Sequence, residues 1–413
     1  MKRNILTFAL ISFMSIFISQ AQLPDMKTSS FQFTFITPPL SNHGINSQEY
    51  INDLSVNLLI GNNGGVNGVE IGGLINIDKT YVKGTQLSGF MNIVHTEMNG
   101  VQIAGFGNHV SGKMEGVQIS GFYNINSNTT NGTQFSGFMN IVEDSIDGFQ
   151  LSGFANINNG FTTGFQAAGF TNINKEFNTG SHIAGFANIG DDGLVNTDIG
   201  GFMNIARDIK GIQIAGFMNI ARNVKGIQLA GFMNICDSIH GIPISFINIP
   251  KKQLYTSFEL NTSDVSNYSG EFKMGLRKWY NIYSFGKLKG DPNRWAFGFG
   301  FGNEQFLTKK LTLSIEAVCN QELWINEEDQ NFLYIDRLFM LNQFKPTIGY
   351  YFNNSICVFA GPVFNMQIRN TSDNLVLNSE DLAPSWIITD ITKKNNKRTN
   401  YKTWLGFTAG IRF

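Results

Sequence analysis

The chain has 413 residues, 30 Lys and Arg against 31 Asp and Glu, and an unusual content of 44 Gly and 37 Phe. A formal net charge of −1 leaves no basic surplus for a nucleic-acid partner, and the apolar fraction of 42% is not that of a disordered chain. Three cysteines, an odd number, argue against a disulfide framework.

Met1-Lys2-Arg3-Asn4 carries two positive charges ahead of an apolar run from Ile5 to Ile18, and Ser19-Gln20-Ala21 supplies small residues at the spacing a signal peptidase reads. The expectation is a signal peptide over 1–21, cleaved after Ala21. The apolar run is shorter than the ~20 residues a spanning helix needs. No cysteine follows it to take a lipid, so the mature chain is expected to be exported without a helical or lipid anchor. Residues 22–53 read as a lead-in and cap.

Residues 54–250 are an array. Between Gly68 and Pro250 the unit Gly-x-Gln-(Ile/Leu)-(Ala/Ser)-Gly-Phe-x-Asn recurs twelve times. Its second glycine falls at Gly73, Gly89, Gly105, Gly121, Gly137, Gly153, Gly169, Gly185 and Gly201 and then at Gly216 and Gly231, a period of sixteen residues that shortens to fifteen. So short a period is too small for a helical pair or a propeller blade and fits one coil of a β-solenoid. Within Gly116–Ile125, Val, Ile, Gly, Tyr and Ile share one parity and Gln, Ser, Phe and Asn the other, which is strand periodicity. Turns such as Asn126–Asn131 are rich in residues that satisfy backbone groups locally. The residue lost after Asn204 falls in the turn, so the arc keeps its length, as in-register stacking requires.

Stacking assigns each marker a task. Ile103, Ile119, Phe135 and Leu151 are expected to line one buried column and Phe106, Phe122, Phe138, Phe154 and Phe170 another, with identical side chains ~4.8 Å apart. The Asn residues form an amide ladder at a bend, and the Gln column (Gln86 to Gln228) reads as a surface ladder or a flat polar binding face. A very large transmembrane barrel also uses alternating strands. Its connections should alternate short and long, whereas these are about equal, so the solenoid is preferred and the barrel kept as the alternative.

Residues 251–413 lose the sixteen-residue beat and read as a β-barrel-like domain of about eight antiparallel strands: Leu254–Asn261, Tyr268–Arg277, Trp279–Lys287, Trp295–Gln305, Leu311–Leu323, Phe332–Phe352, Ile356–Ile368 and Lys402–Phe413. In the last, Leu405, Phe407, Ala409, Ile411 and Phe413 share one face and Gly406, Thr408, Gly410 and Arg412 the other. The fold class is thus all-β, a parallel solenoid of about twelve 15–16-residue coils followed by a barrel.

The terminal strand resembles that of outer-membrane β-barrel proteins, which ends in Phe and is read by the barrel-insertion machinery. The repeat block, residues 68–250, looks like bacterial surface-repeat families built on Gly-x-Gln-x-x-Gly-x-x-Asn units, with the motif eroded at Glu70, His182, Asp198 and Pro243. These resemblances imply the outer membrane and its insertion machinery as partners, with repeats on the surface or in the periplasm and any surface glycan or protein ligand unnamed. They carry no catalytic residues.

Chemistry-bearing residues are sparse. Among His43, His95, His109, His182 and His240 none has a partner at metal-ligand spacing. Glu327-Glu328-Asp329 is an acidic loop trio, and Asp191-Asp192 with Asp198 is the one cluster that could imitate a solenoid polysaccharide hydrolase or lyase. Cys236 sits in the slot of Ala206 and Ala221, and a Cys319–Cys357 bridge is left open. No catalytic, cofactor or metal residue is assigned. The expected function is a non-enzymatic envelope protein, a solenoid scaffold or adhesin-like surface carried by an outer-membrane barrel. The alternatives are one large barrel or pore that includes the repeats and, behind it, the hydrolase or lyase.

Overall fold

The computed structural model describes residues 26–37, 39–290, 293–324, 339–353, 355–371, 382–384, 386–394 and 398–413. The expected signal peptide, the acidic trio and the first part of the strand read as Phe332–Phe352 lie outside the described residues. The chain forms two compact units that divide between Ala168 and Gly169.

The first unit is a stack of coils. Lys27–Ile36 pairs in parallel with Tyr50–Asn63, so the parallel sheet is already present in the lead-in segment. From there each coil contributes a strand of seven or eight residues and, from Ile75 on, one of four, as in Met98–Ala104 and Gly107–Val110. Neighbouring coils pair like with like: Gly116 with Gly100 and Gly132, Gln118 with Gln102 and Gln134, Asn124 with Asn108 and Asn140. Successive repeats are therefore parallel. That overturns the alternative of one large barrel including the repeats, because barrel neighbours must run antiparallel.

Both glycines of the motif are explained by backbone proximity. A Cβ on Gly121 would sit 2.1 Å from the Gly105 carbonyl oxygen, and one on Gly137 2.1 Å from that of Gly121. Gly116, at the corner inside the longer strand, has φ +123°, a conformation that side chains resist. At the Gly-Phe corner each Phe carbonyl accepts twice from the next coil: the Phe106 carbonyl from Phe122 and Tyr123 N–H at 2.8 and 3.1 Å, and that of Phe122 from Phe138 and Met139 at 2.9 and 3.0 Å.

The faces are the reverse of the expected ones. Gln102, Gln118 and Gln134 are fully buried, whereas Ile119, Phe122, Leu151 and Phe154 are exposed by 37–42%. Parity separated the two sets but did not say which lay inside. The physical reason is that amides stacked coil on coil satisfy one another along the axis, so a narrow coil can bury them at little cost. Phe departs from the parity of Gln and Asn because the bend at Gly121-Phe122 turns it outward.

In the second unit the same coils run to Pro250. Asn204 pairs with Asn219 and Asn234 with Asn248, while Gln213 pairs with Gln228. Cys236 packs as expected in the alanine column, among Val195, Ile209, Val224 and Ile239. Beyond it, Tyr255–Ser263, Ser266–Leu276, Trp279–Leu288, Arg294–Phe306, Leu311–Trp324, Phe339–Tyr351, Cys357–Thr371 and Arg398–Arg412 form an antiparallel barrel. It closes where Glu259 pairs with Arg412 and Leu260 with Ile411. Thr389–Lys394, a strand not anticipated, pairs with Arg398–Thr403.

Candidate functional site

Every barrel strand alternates, so one set of side chains fills the lumen. Among the described residues the buried lumen groups include Glu259, Glu271, Glu304, Glu316 and Glu322 opposite Lys273, Arg294, Lys345 and Arg412, with half-buried Arg277 at the margin. They are paired. Lys273 Nζ lies 2.5 Å from Glu259 and also reaches Glu316; Lys345 Nζ lies 2.5 Å from Glu271 and 3.7 Å from Glu316. Arg412 bonds Glu259 and Glu304, Arg277 also bonds Glu304, and Arg294 holds Glu322 at 2.8 Å. Tyr280 donates its hydroxyl to Glu316 at 2.7 Å.

Carboxylate oxygens of Glu259, Glu271 and Glu316 lie within 4.8 Å of one another, a spacing a metal ion could use. Here Lys273, Lys345 and Arg412 already neutralise them, and a dication would have to displace those ammonium and guanidinium groups. The network leaves little room. A cavity of about 30 Å³, lined by Ser269, Glu271, Ser284, Asn320, Gln343 and Lys345 among others, holds about one water. Val265, Leu288, Leu341, Leu382 and Trp404 pack into an apolar layer, where Trp404 Nε1 donates to Asp264 at 2.7 Å. Among the described residues the lumen is thus filled, as the width of an eight-stranded barrel dictates.

The outer wall is apolar. Phe258, Leu260, Phe272, Phe285, Phe297, Phe344, Ile348, Phe364, Leu405, Phe407 and Ile411 are all exposed, which bears out the alternation read in the last strand. No helix among the described residues is long and apolar enough to cross a membrane, which says nothing of crossing by strands. The barrel's connections are unequal at its two ends. Residues 277–278, 307–310 and 352–356 link strands at one end, against 264–265, 289–293, 325–338 and 372–397 at the other.

The last coil of the solenoid abuts this outer wall. Asn248 Nδ2 donates to Asn281 Oδ1 at 2.8 Å, where in earlier coils it would meet the next asparagine. Asn281 Nδ2 in turn donates to the carbonyls of Ser245 and Phe246 at 2.7 and 2.6 Å, and Tyr283 Oη also bonds the latter. The Phe column ends with Phe246 in contact with Tyr283 and Phe299, ring centroids 5.3 Å away in each case. Sequence reading missed Asn281, because outside the repeat beat nothing distinguishes it.

Inside the solenoid two amide ladders run in opposite senses. The Gln ladder donates to the preceding coil, as Gln102 to Gln86 at 2.7 Å, with Gln213 Nε2 left without a partner, and the Asn ladder donates to the following coil, as Asn92 to Asn108 at 3.0 Å. Where the motif is eroded, titratable groups enter this core. Gln86 Nε2 donates to both Glu70 and Asp78, at 2.7 and 2.6 Å. Burial and the neighbouring carboxylate hold Asp78 well above the usual carboxylate range, and burial raises Glu70. His182 Nδ1 and Asp198 Oδ1 are 2.6 Å apart, both buried. Asp192 instead pairs with Arg207 on the surface, so Asp191-Asp192 and Asp198 point to different sides and are not brought together.

The other candidates are scattered. His43 stacks on Tyr50, His95 bonds the Asp78 carbonyl, His240 is exposed, and His109 is pushed down to about 4 by burial and by His95. Cys319 is exposed on the outer wall and Cys357 buried inside, and both are free thiols. Burial pushes the Cys236 thiol up to about 12, which makes it unreactive. No family model, curated protein or solved structure matches the chain.

Proposed function

We propose that the protein is a non-enzymatic cell-envelope scaffold whose C-terminal barrel is an outer-membrane anchor and whose repeats form a surface or periplasmic array. The observation that carries this reading is the inverted polarity of the barrel, with charged, mutually paired side chains inside and exposed Phe, Ile and Leu outside. Water favours the opposite arrangement; a bilayer favours this one. The filled lumen supports an anchor over a pore. The unequal connections are those of outer-membrane barrels, which would put the end with residues 277–278, 307–310 and 352–356 in the periplasm.

The test is fractionation of cells that express the full chain. Wild type is expected in the outer-membrane fraction, resistant to alkaline wash. Phe364→Arg, a charge at the middle of the strand Cys357–Thr371 in the apolar wall, costing about 2–4 kcal/mol at mid-bilayer, should reduce that amount, while Lys309→Asp in the connection 307–310 should not. Recovery of wild type in the soluble fraction without detergent overturns the reading.

A further inference from the structure

The solenoid carries more apolar surface than a water-exposed rod needs, and it is confined to part of each coil. In residues 183–246, Ile183, Phe186, Ile199, Phe202, Phe217 and Phe232 are exposed by 37–42%. They lie on the two sides that carry the Gln and Asn ladders within. The remaining side of the same coils shows Asp191, Arg207, Lys210, Arg222, Lys225 and His240 to the exterior. Residues 183–246 are therefore amphipathic across the axis, with continuous ladders of stacked rings such as Phe202–Phe217–Phe232, at centroid spacings of 5.0 Å.

The place of attachment says what covers the apolar sides. Asn281 and Tyr283 are the third and fifth residues of the strand Trp279–Leu288, so the contact lies roughly 7–13 Å along the strand from its end at ~3.3 Å per residue. That is within the apolar wall and not beyond its rim. Phe246 rests on Phe299 and Tyr283, and Tyr283 stacks on Phe272, which itself faces outward from the barrel. The solenoid's aromatic column thus runs into the barrel's apolar belt without a polar break. A body attached at that depth meets the same medium as the belt. Its charged third side, however, excludes complete burial.

We infer that residues 183–246 lie in the interface of the membrane, with the Gln and Asn sides in the acyl region of one phospholipid leaflet and the charged side in water or among headgroups. The inference rests on the barrel being a membrane anchor. It makes this part of the repeat array a second, lateral membrane contact, as amphipathic helices provide in other proteins.

The test uses the full chain with Cys319→Ser, which removes the exposed thiol, reconstituted in phosphatidylcholine vesicles that contain spin-labelled lipid quencher. An environment-sensitive fluorophore is placed at Phe217→Cys, at Ile227→Cys, at Lys225→Cys, and at Ile348→Cys as the barrel reference. Phe217→Cys and Ile227→Cys should lose roughly as much emission as Ile348→Cys, at the ~5–10 Å depth of an interfacial element, and Lys225→Cys should keep its emission. The use of both Phe217 and Ile227 guards against one substitution disturbing its coil. Quenching at Ile348 without quenching at Phe217 and Ile227 overturns the inference but leaves the anchor intact. Their shielding from both lipid quencher and aqueous iodide would show a second copy or another protein on these sides, and overturns it equally. No quenching at Ile348 would mean that the anchor reading itself has failed.

Discussion

At the level of single residues the molecule turns on which amides are inside. Gln134 accepts from Gln150 and donates to Gln118, both at 2.7 Å, and it is fully buried. Gln134→Ala strands a buried donor and a buried acceptor and should cost about 3 kcal/mol. Phe138→Ala removes two ring stacks at a half-exposed site, at centroid distances of 4.7 and 4.9 Å, and should cost about 1–2 kcal/mol. Hydrogen exchange of Thr130–Ser136 in the full chain reads the difference; a greater loss of protection from Phe138→Ala would restore the expectation that aromatics form the core. Period and strand parity were legible in the repeats, but the choice of interior was not, because an amide becomes a good core residue only when an identical amide stacks on it. Asp78 shows the limit of that tolerance. Its raised pKa means that the fold favours the protonated form, so stability is lost as pH rises from the unfolded value near 3.8 through the higher folded value. Asp78→Asn, which places there the residue that the same column has at Asn126 and Asn158, should raise stability by about 2 kcal/mol at pH 8. The gain should vanish by about pH 4. The comparison of melting temperatures against wild type cancels the opposite contribution of His109, whose lowered pKa removes stability as pH falls from 6.5 towards about 4. A gain that persists unchanged at low pH would contradict the assignment.

At the level of elements, the barrel strands were the most legible part. Seven of the expected strands fall within a few residues of those observed, because an apolar wall and a filled lumen impose alternation on each. What the sequence did not display was the partnering within the lumen: Glu259, Lys273, Glu316 and Arg412 are spread over more than 150 residues and meet only when the sheet closes. Arg412 joins the strands that close the barrel by bonding Glu259 and Glu304. Arg412→Gln leaves those carboxylates with less compensation in a buried site and should cost about 3–5 kcal/mol. On unboiled gels the compact folded band should convert to the unfolded one at a markedly lower temperature than in wild type, whereas outward-facing Phe407→Leu should leave the conversion unchanged. Equal conversion temperatures for wild type and Arg412→Gln would mean that the network adds nothing to closure. The junction at Asn281 was equally invisible, since its role exists only where the Asn ladder runs out of coils and a barrel strand supplies the missing amide.

At the level of the whole molecule, both architectures solve one problem in the same way. Backbone groups pair within each sheet, amide ladders or ion pairs share the interior with small apolar clusters, and large apolar residues also cover much of the outside. That distribution suits a chain that meets lipid, and it places outside the repeat column, Phe106 to Phe170, that the sequence reading had put in the core. The most direct measurement is flotation of the refolded full-length chain with phospholipid vesicles on a density gradient after an alkaline wash. The protein is expected to rise with the vesicles and to stay with them. A chain that remains at the bottom of the gradient as a monodisperse soluble species would contradict the account.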